Sequence, residues 1–178
     1  MDLIKDFQLF NSIGDAFLIV ILPLIITFLI SSYIGLERQN VGKAAGVSSH
    51  VLVALAAAGI AILQRVMFDG QVQLLKEGID ARPEGQRLIA QVISGVGFIG
   101  AGVILKDSQQ IIRGITTAST IWAVAIMGII LGSGYIFIGS ILGFTMALFM
   151  TLRNLKRGIN PFVRQYDPHE REDHHDDA

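Results

Sequence analysis

The stretch Leu88–Leu105, LIAQVISGVGFIGAGVIL, decides how the rest of the chain is read. Its glycines at 95, 97, 100 and 102 contain a G-x-G-x-x-G string. Between a strand and a helix, such a string would hold a dinucleotide pyrophosphate. Here it sits in the middle of an uncharged apolar run, with no strand before it and no soluble βαβ unit around it. A run of this length is what crosses a hydrocarbon core of about 30 Å, which takes roughly 17 to 25 helical residues. Backbone polar groups in lipid must be satisfied within the segment, so the run is a helix. The small residues Ser94, Gly95, Gly97, Gly100, Ala101 and Gly102 then find a use in helix packing, because they let backbones approach where no hydrophobic force drives association. The other use, a locally unwound helix whose carbonyls line a polar path, needs protein or water along the break.

Four more runs of membrane length surround it, near Ala16–Ile34, Val47–Leu63, Ile115–Leu131 and Tyr135–Leu152. Composition agrees with a lipid solvent: 52% of the 178 residues are hydrophobic and 16% charged, against about 25% charged in soluble domains. A β-barrel would show short alternating segments instead. The expected fold is an all-α integral membrane protein, a five-helix transmembrane bundle over residues 1–152 with a tail over 153–178. The start, MDLIKDFQLFNSIGD, has no basic region ahead of a cleavage site, so the first run is expected to stay as a span. Pro23 should kink it. Gly132-Ser133-Gly134 leaves room only for a tight antiparallel hairpin.

Lys and Arg in the loops set the orientation. One face receives nine: Arg38, Lys43, Lys106, Arg113, Arg153, Lys156, Arg157, Arg164 and Arg171. The other receives five: Lys5, Arg65, Lys76, Arg82 and Arg87. The bias puts the N-terminus outside and the C-terminus in the cytoplasm. Val72, Leu74, Leu75 and Ile79 among the charges of Gln64–Arg87 suggest an amphipathic helix lying on the outer surface. The tail is basic, then acidic and His-rich, and is expected to be disordered. His169, Glu170, Asp173, His174, His175, Asp176 and Asp177 have a metal-binding composition, but a selective site needs fixed geometry, so no metal site or cofactor is assigned. A net charge of −1 gives no pull toward nucleic acid, and zero cysteines exclude disulfides and thiol chemistry.

Few polar residues stand out. Glu37 and Arg38 follow the first span and read as an interfacial stop, with Arg38 snorkelling to headgroups. His50 lies inside the second span near its start and reads as a neutral, hydrogen-bonded imidazole. Glu84 and Arg87, three apart, share a helical face ahead of the third span, either as an ion pair fixing the helix end or as a site at the outer mouth. Thr116 and Thr117 open a hydroxyl-rich turn with Ser119 and Thr120. Gly139, Gly143 and Ala147 mark a smooth face that should meet another helix, in this chain or in a second copy. Trp122 is expected inside the bundle. No expected span carries Asp, Glu, Lys or Arg away from its ends, whereas pumps and carriers usually do, and magnesium favours carboxylates. No set of nucleophile, base and orienting acid suggests an enzyme.

Four ordered motifs are similar to those of the MgtC/SapB family of bacterial membrane proteins: Gly35-Leu36-Glu37-Arg38, Gly46-Val47-Ser48-Ser49-His50-Val51-Leu52-Val53, Glu84-Gly85-Gln86-Arg87 running into Ser94–Gly102, and Gly114-Ile115-Thr116-Thr117-Ala118. The resemblance covers about residues 16 to 152. It implies a multi-pass protein of the bacterial inner membrane, linked to low-magnesium and acid stress, whose relatives modulate other membrane machinery including the F-type ATP synthase. It places Glu37, Arg38, His50, Glu84, Arg87 and Ser94–Gly102 on signature positions. Ser48 stands where the family usually has Arg, and Glu84 where Asp is common. The virulence-associated members carry a soluble C-terminal domain for which about 26 residues beyond the last span leave no room, so regulation through that domain is not expected and a virulence role is in doubt. The expectation is a non-enzymatic regulator of magnesium homeostasis or stress response, contacting lipid and other inner-membrane proteins and forming a homodimer. The alternative is a small oligomeric cation channel or transporter, with Mg²⁺ as cargo.

Overall fold

The structure, a computed structural model, describes residues 13–80, 87–106, 110–160 and 162–163. Its helices are α1 (Ile13–Asn40), α2 (Val47–Lys76), α3 (Arg87–Val103), α4 (Ile115–Gly132) and α5 (Ile136–Lys156). Four are long and apolar enough to cross a membrane. The apolar α3, at 17 residues, is at the lower limit for a span. This is the all-α membrane fold expected from the hydrophobic runs.

α4 lies at the centre. Its Gly128 and Gly132, one turn apart, meet Ala54 and Ala58 of α2 so closely that a Cβ at either glycine would strike a backbone carbonyl oxygen. Such small-residue pairs bring helix backbones together without relying on side-chain interdigitation. Around this seam Ala57, Ala61, Ile121, Ala125 and Ile129 form one buried cluster, and Ile34, Ala54, Val124 and Met150 a second. α1 and α5 pack on one flank. α3 packs on α4 and α2, where the Gln64 side-chain carbonyl accepts the Ile89 N–H at 3.0 Å and fixes the start of α3.

Several boundaries move. α1 runs on to Asn40, taking Glu37 and Arg38 into the helix. α2 runs on to Lys76, so Val72, Leu74 and Leu75 extend it and do not form a separate surface helix. The stop comes at Gly78, φ +81°, where Ile79 N–H donates to the Leu74 carbonyl at 3.0 Å and Gly78 N–H to that of Leu75 at 3.1 Å. That is a left-handed glycine cap. Pro23 is accommodated by a π-helical turn over Phe17–Ile21 just before it. Between α3 and α4, Leu105–Lys106 (β1) pairs antiparallel with Ile112–Arg113 (β2), Leu105 opposite Arg113. Gly114, φ +92°, then turns the chain into α4 against the Val103 carbonyl, where no Cβ would fit.

The small residues divide. A Cβ on Gly139 would lie 2.6 Å from the Leu131 side chain, and one on Gly143 would lie 2.6 Å from Met127 Sδ and 2.7 Å from Ile30. The smooth face of α5 is thus spent within the chain. In α3 three positions find no packing partner within the chain: Gly95, Gly97 and Gly102 face open space, and Gly100 alone of the four meets a neighbour, Ala118 at 3.7 Å. The helix is continuous from Arg87 to Val103, so it is not unwound there either. Trp122 is 46% exposed and points away from the bundle. The face of α4 turned inward carries Ile121, Val124, Ala125 and Gly128, and Trp122 lies off it.

These contacts rank the glycines. Gly132→Leu should destabilise the detergent-solubilised protein by about 1–3 kcal/mol or more, the usual cost of overpacking, whereas Gly97→Leu should leave the thermal midpoint within error. Equal midpoints for the two variants would contradict the α2/α4 seam.

Candidate functional site

Where α1 and α5 end and α2 and α4 begin, the bundle buries charge. Gly35 lets the Val47 backbone come within 2.6 Å of where its Cβ would be, and this close approach folds the α1/α2 turn over the end of α1. The turn is held by Lys43 N–H donating to the Arg38 carbonyl at 3.0 Å and Val41 N–H to that of Glu37 at 3.2 Å. Below it Glu37 is 2% and Arg38 0% exposed. Arg38 donates through Nε and Nη2 to the two carboxylate oxygens of Glu37, and Asn154 of α5 donates through Nδ2 to the same carboxylate. Adjacent helix positions do not face each other, so this fork forms because both long side chains bend into one site walled by α5.

The expected snorkelling of Arg38 is therefore overturned. Closure of the α1/α2 turn removes its route to headgroups, and Glu37 neutralises it in place. Glu37 and Arg38 still lie in the last turn of α1, at a helix end as expected, but they are buried there. Two donors here lack partners: Arg38 Nη1 and Arg153 Nε are buried without a hydrogen bond.

His50 is fully buried beside this pair. Its Nδ1–H donates to the Gly46 carbonyl at 2.8 Å, since a carbonyl can only accept. Nε2 accepts from the Thr120 hydroxyl at 3.0 Å, whose single proton it shares with the Thr117 carbonyl at 2.8 Å. The imidazole is thus satisfied on both sides. Thr117 is buried, whereas Thr116 faces outward. One turn deeper, the Tyr33 hydroxyl donates to Thr151 Oγ1 at 2.6 Å, and Thr151 donates to the Ala147 carbonyl at 2.8 Å.

The structure thus gathers Glu37, Arg38, His50 and Thr117 at one end. Arg87 begins α3 at the opposite end, exposed, and Ser94 is exposed with its hydroxyl bonded to the Ala90 carbonyl at 3.1 Å. Glu84, and with it the Glu84/Arg87 pairing, lies outside the described residues, as do the tail histidines. Sequence reasoning missed Asn154, Arg153, Gln64 and the Gly128/Gly132 seam. Two of these had signals. Asn154 continues the Gly139, Gly143, Ala147, Thr151 row by one more helical step, and Gly128-x-x-x-Gly132 is the small-residue spacing itself.

A multi-helix membrane bundle held by small-residue seams and closed at one end by a buried ion pair is the class of protein these features define. The family model for the MgtC family matches residues 24–157, and the chain belongs to that family. It is 41% identical over 128 residues to YhiD of Escherichia coli K12, whose name provisionally assigns it to magnesium transport; the match covers 72% of this chain and 57% of the relative. Protein SapB of Bacillus subtilis is 36% identical over 119 residues, covering 65% and 48% of the two chains. Protein MgtC of Brucella abortus is 36% identical over 109 residues, covering 61% and 40%. The matched region is thus about half the length of these relatives. No solved structure matches the chain.

Breaking a buried pair from one side costs about 3–5 kcal/mol, while replacing both partners with apolar groups is often close to neutral. Glu37→Gln should accordingly destabilise more than the double change Glu37→Gln/Arg38→Met, as measured by unfolding in mixed micelles. A double variant as unstable as the sum of its singles would sink the pair.

Proposed function

We propose that this chain is a non-enzymatic regulator of the bacterial inner membrane, tied to magnesium homeostasis or to low-magnesium and acid stress, and acting through helix contacts with other membrane proteins. The observation that carries the reading is the commitment of Glu37. A magnesium path favours carboxylates that can face the ion and its retained waters, and this buried carboxylate is already engaged by Arg38 and Asn154. The name of YhiD supports the link to magnesium.

A surface for contact is at hand. α3 presents Gly95, Gly97 and Gly102 with nothing against them, beside Phe98 at 83% exposure. In lipid, small residues of this kind are where another helix can come close. The partner is a second copy, as a homodimer, or another inner-membrane protein, the F-type ATP synthase being the one the family resemblance points to. The role needs no active site and no bound cofactor.

The same exposed glycines, together with the name of YhiD, favour a second reading: an oligomeric cation channel in which several copies of α3 surround a pore. Purified protein in liposomes separates the two. Magnesium flux should not exceed that of empty vesicles, and Gly97→Leu should abolish the effect of the protein on growth in low magnesium while leaving its abundance unchanged. Magnesium flux that Gly97→Leu removes would establish the channel instead.

A further inference from the structure

Among the described residues, the Glu37 end of the bundle holds more positive charge than its neighbours neutralise. Arg38 is fully buried, and the half-buried Arg153 lies within electrostatic reach of Arg38, Glu37 and Arg157. Two guanidinium groups, Arg38 and Arg153, thus lie near one carboxylate, which is already engaged by Arg38 and Asn154, and the exposed Arg157 stands next to Arg153. Of the buried side-chain polar atoms without a hydrogen bond among the described residues, Arg38 Nη1 and Arg153 Nε are in this cluster, and the Thr27 and Ser32 hydroxyls are not. Buried charge without a counter-charge is costly. The arrangement calls for an anion.

The same two helices that carry the arginines form an apolar groove. Between α1 and α5 lies a channel of about 410 Å³, bounded by Ile26, Leu29, Ile30, Tyr33, Phe144 and Ala147. Its walls open outward, Leu29 being 60% and Phe144 68% exposed. Ile30 and Met127 come close to the backbone at Gly143, one of its lining residues. At its polar end the Tyr33 hydroxyl meets Thr151, less than a turn before Arg153 and Asn154, and the Phe162 ring lies 6.3 Å from that of Tyr33. The apolar groove therefore leads toward the basic end of α5.

We propose that the α1/α5 groove and the arginine cluster together form a binding site for one anionic phospholipid, with an acyl chain along Ile26–Ala147 and the phosphate at Arg153 and Arg157. Arg38 lies behind them and supplies field rather than contact. The charge balance selects an anionic headgroup over a zwitterionic one, and the groove selects a lipid over a free anion. The Lys and Arg bias assigns this end to the cytoplasmic leaflet, the one richer in anionic lipid.

The full chain, delipidated in detergent and given equal phosphatidylglycerol and phosphatidylcholine of matched acyl chains, should retain the anionic lipid about fivefold over the zwitterionic one by native mass spectrometry, the contribution of one basic group near an anionic surface. Arg153→Gln should bring the ratio toward one, and if that variant does not fold, Arg157→Gln should lower it. With a tryptophan in the groove (Phe144→Trp in a Trp122→Phe background), brominated-chain phosphatidylglycerol should quench more than brominated-chain phosphatidylcholine. Equal retention of the two lipids overturns the proposal, as does an unchanged ratio in the folded arginine variants or equal quenching. Displacement of the lipid by millimolar inorganic phosphate would make this a free-anion site, and loss of bound lipid on dimerisation would make the groove a seam between copies. Either result replaces the phospholipid.

Discussion

The contact between α2 and α4 is the constraint from which the rest of the bundle follows. Gly128 and Gly132 offer no side chain, so Ala54 and Ala58 bring their carbonyls against the α4 backbone. In lipid there is no hydrophobic gain in turning apolar side chains inward, because tails and leucines are alike. Close backbone approach and well-placed polar contacts are what distinguish the assembled bundle from separated helices. Once α2 and α4 are fixed, α1 and α5 can pack along Ile34, Val124 and Met150, and α3 can hang from Gln64. The Glu37 site is a consequence of that order, since Glu37 and Asn154 come from helices brought together by the shared seam.

The sequence was legible to the extent that the lipid constraint made it so. Hydrophobic runs long enough to span gave the helices, and Gly132-Ser133-Gly134 gave the α4/α5 hairpin, with Gly134 at φ +92°. Helix ends were harder. An apolar run reports where hydrocarbon lies, and a helix stops where its backbone is capped. α1 and α2 therefore outlast their runs, to Asn40 and to the Gly78 cap. That is why Arg38 read as a snorkelling residue: its distance from hydrocarbon was visible, and the turn closing over it was not.

The site was half visible for the same kind of reason. His50 and Glu37 stood out because ionisable residues are rare near spans, but the residues completing them come from elsewhere in the chain. Thr120 is 70 positions from His50, and Asn154 is 117 from Glu37. Pairings of that separation are set by packing and leave no local pattern. Small residues misled in the opposite direction. The densest cluster, in α3, faces outward, while the sparser pairs in α4 and α5 hold the core. Glycine content shows that a close approach is permitted there, without saying which helix makes it.

A membrane protein that buries an ion pair has chosen an expensive way to close one end. Apolar residues of the same volume would often hold as well or better, so bundle stability alone does not account for the pair. Its geometry shows what it adds. Glu37 accepts from both α1 and α5 at one point, which fixes the rotation of each helix about its axis, a degree of freedom that smooth glycine seams leave loose. The seam sets how close the helices lie, and the polar contact sets which faces they turn outward. With α1 and α5 held in that rotation, the apolar groove and the basic residues at its end come onto one line. Anything that perturbed Glu37 or Asn154 would therefore be felt first as a misaligned surface and only later as an unfolded bundle.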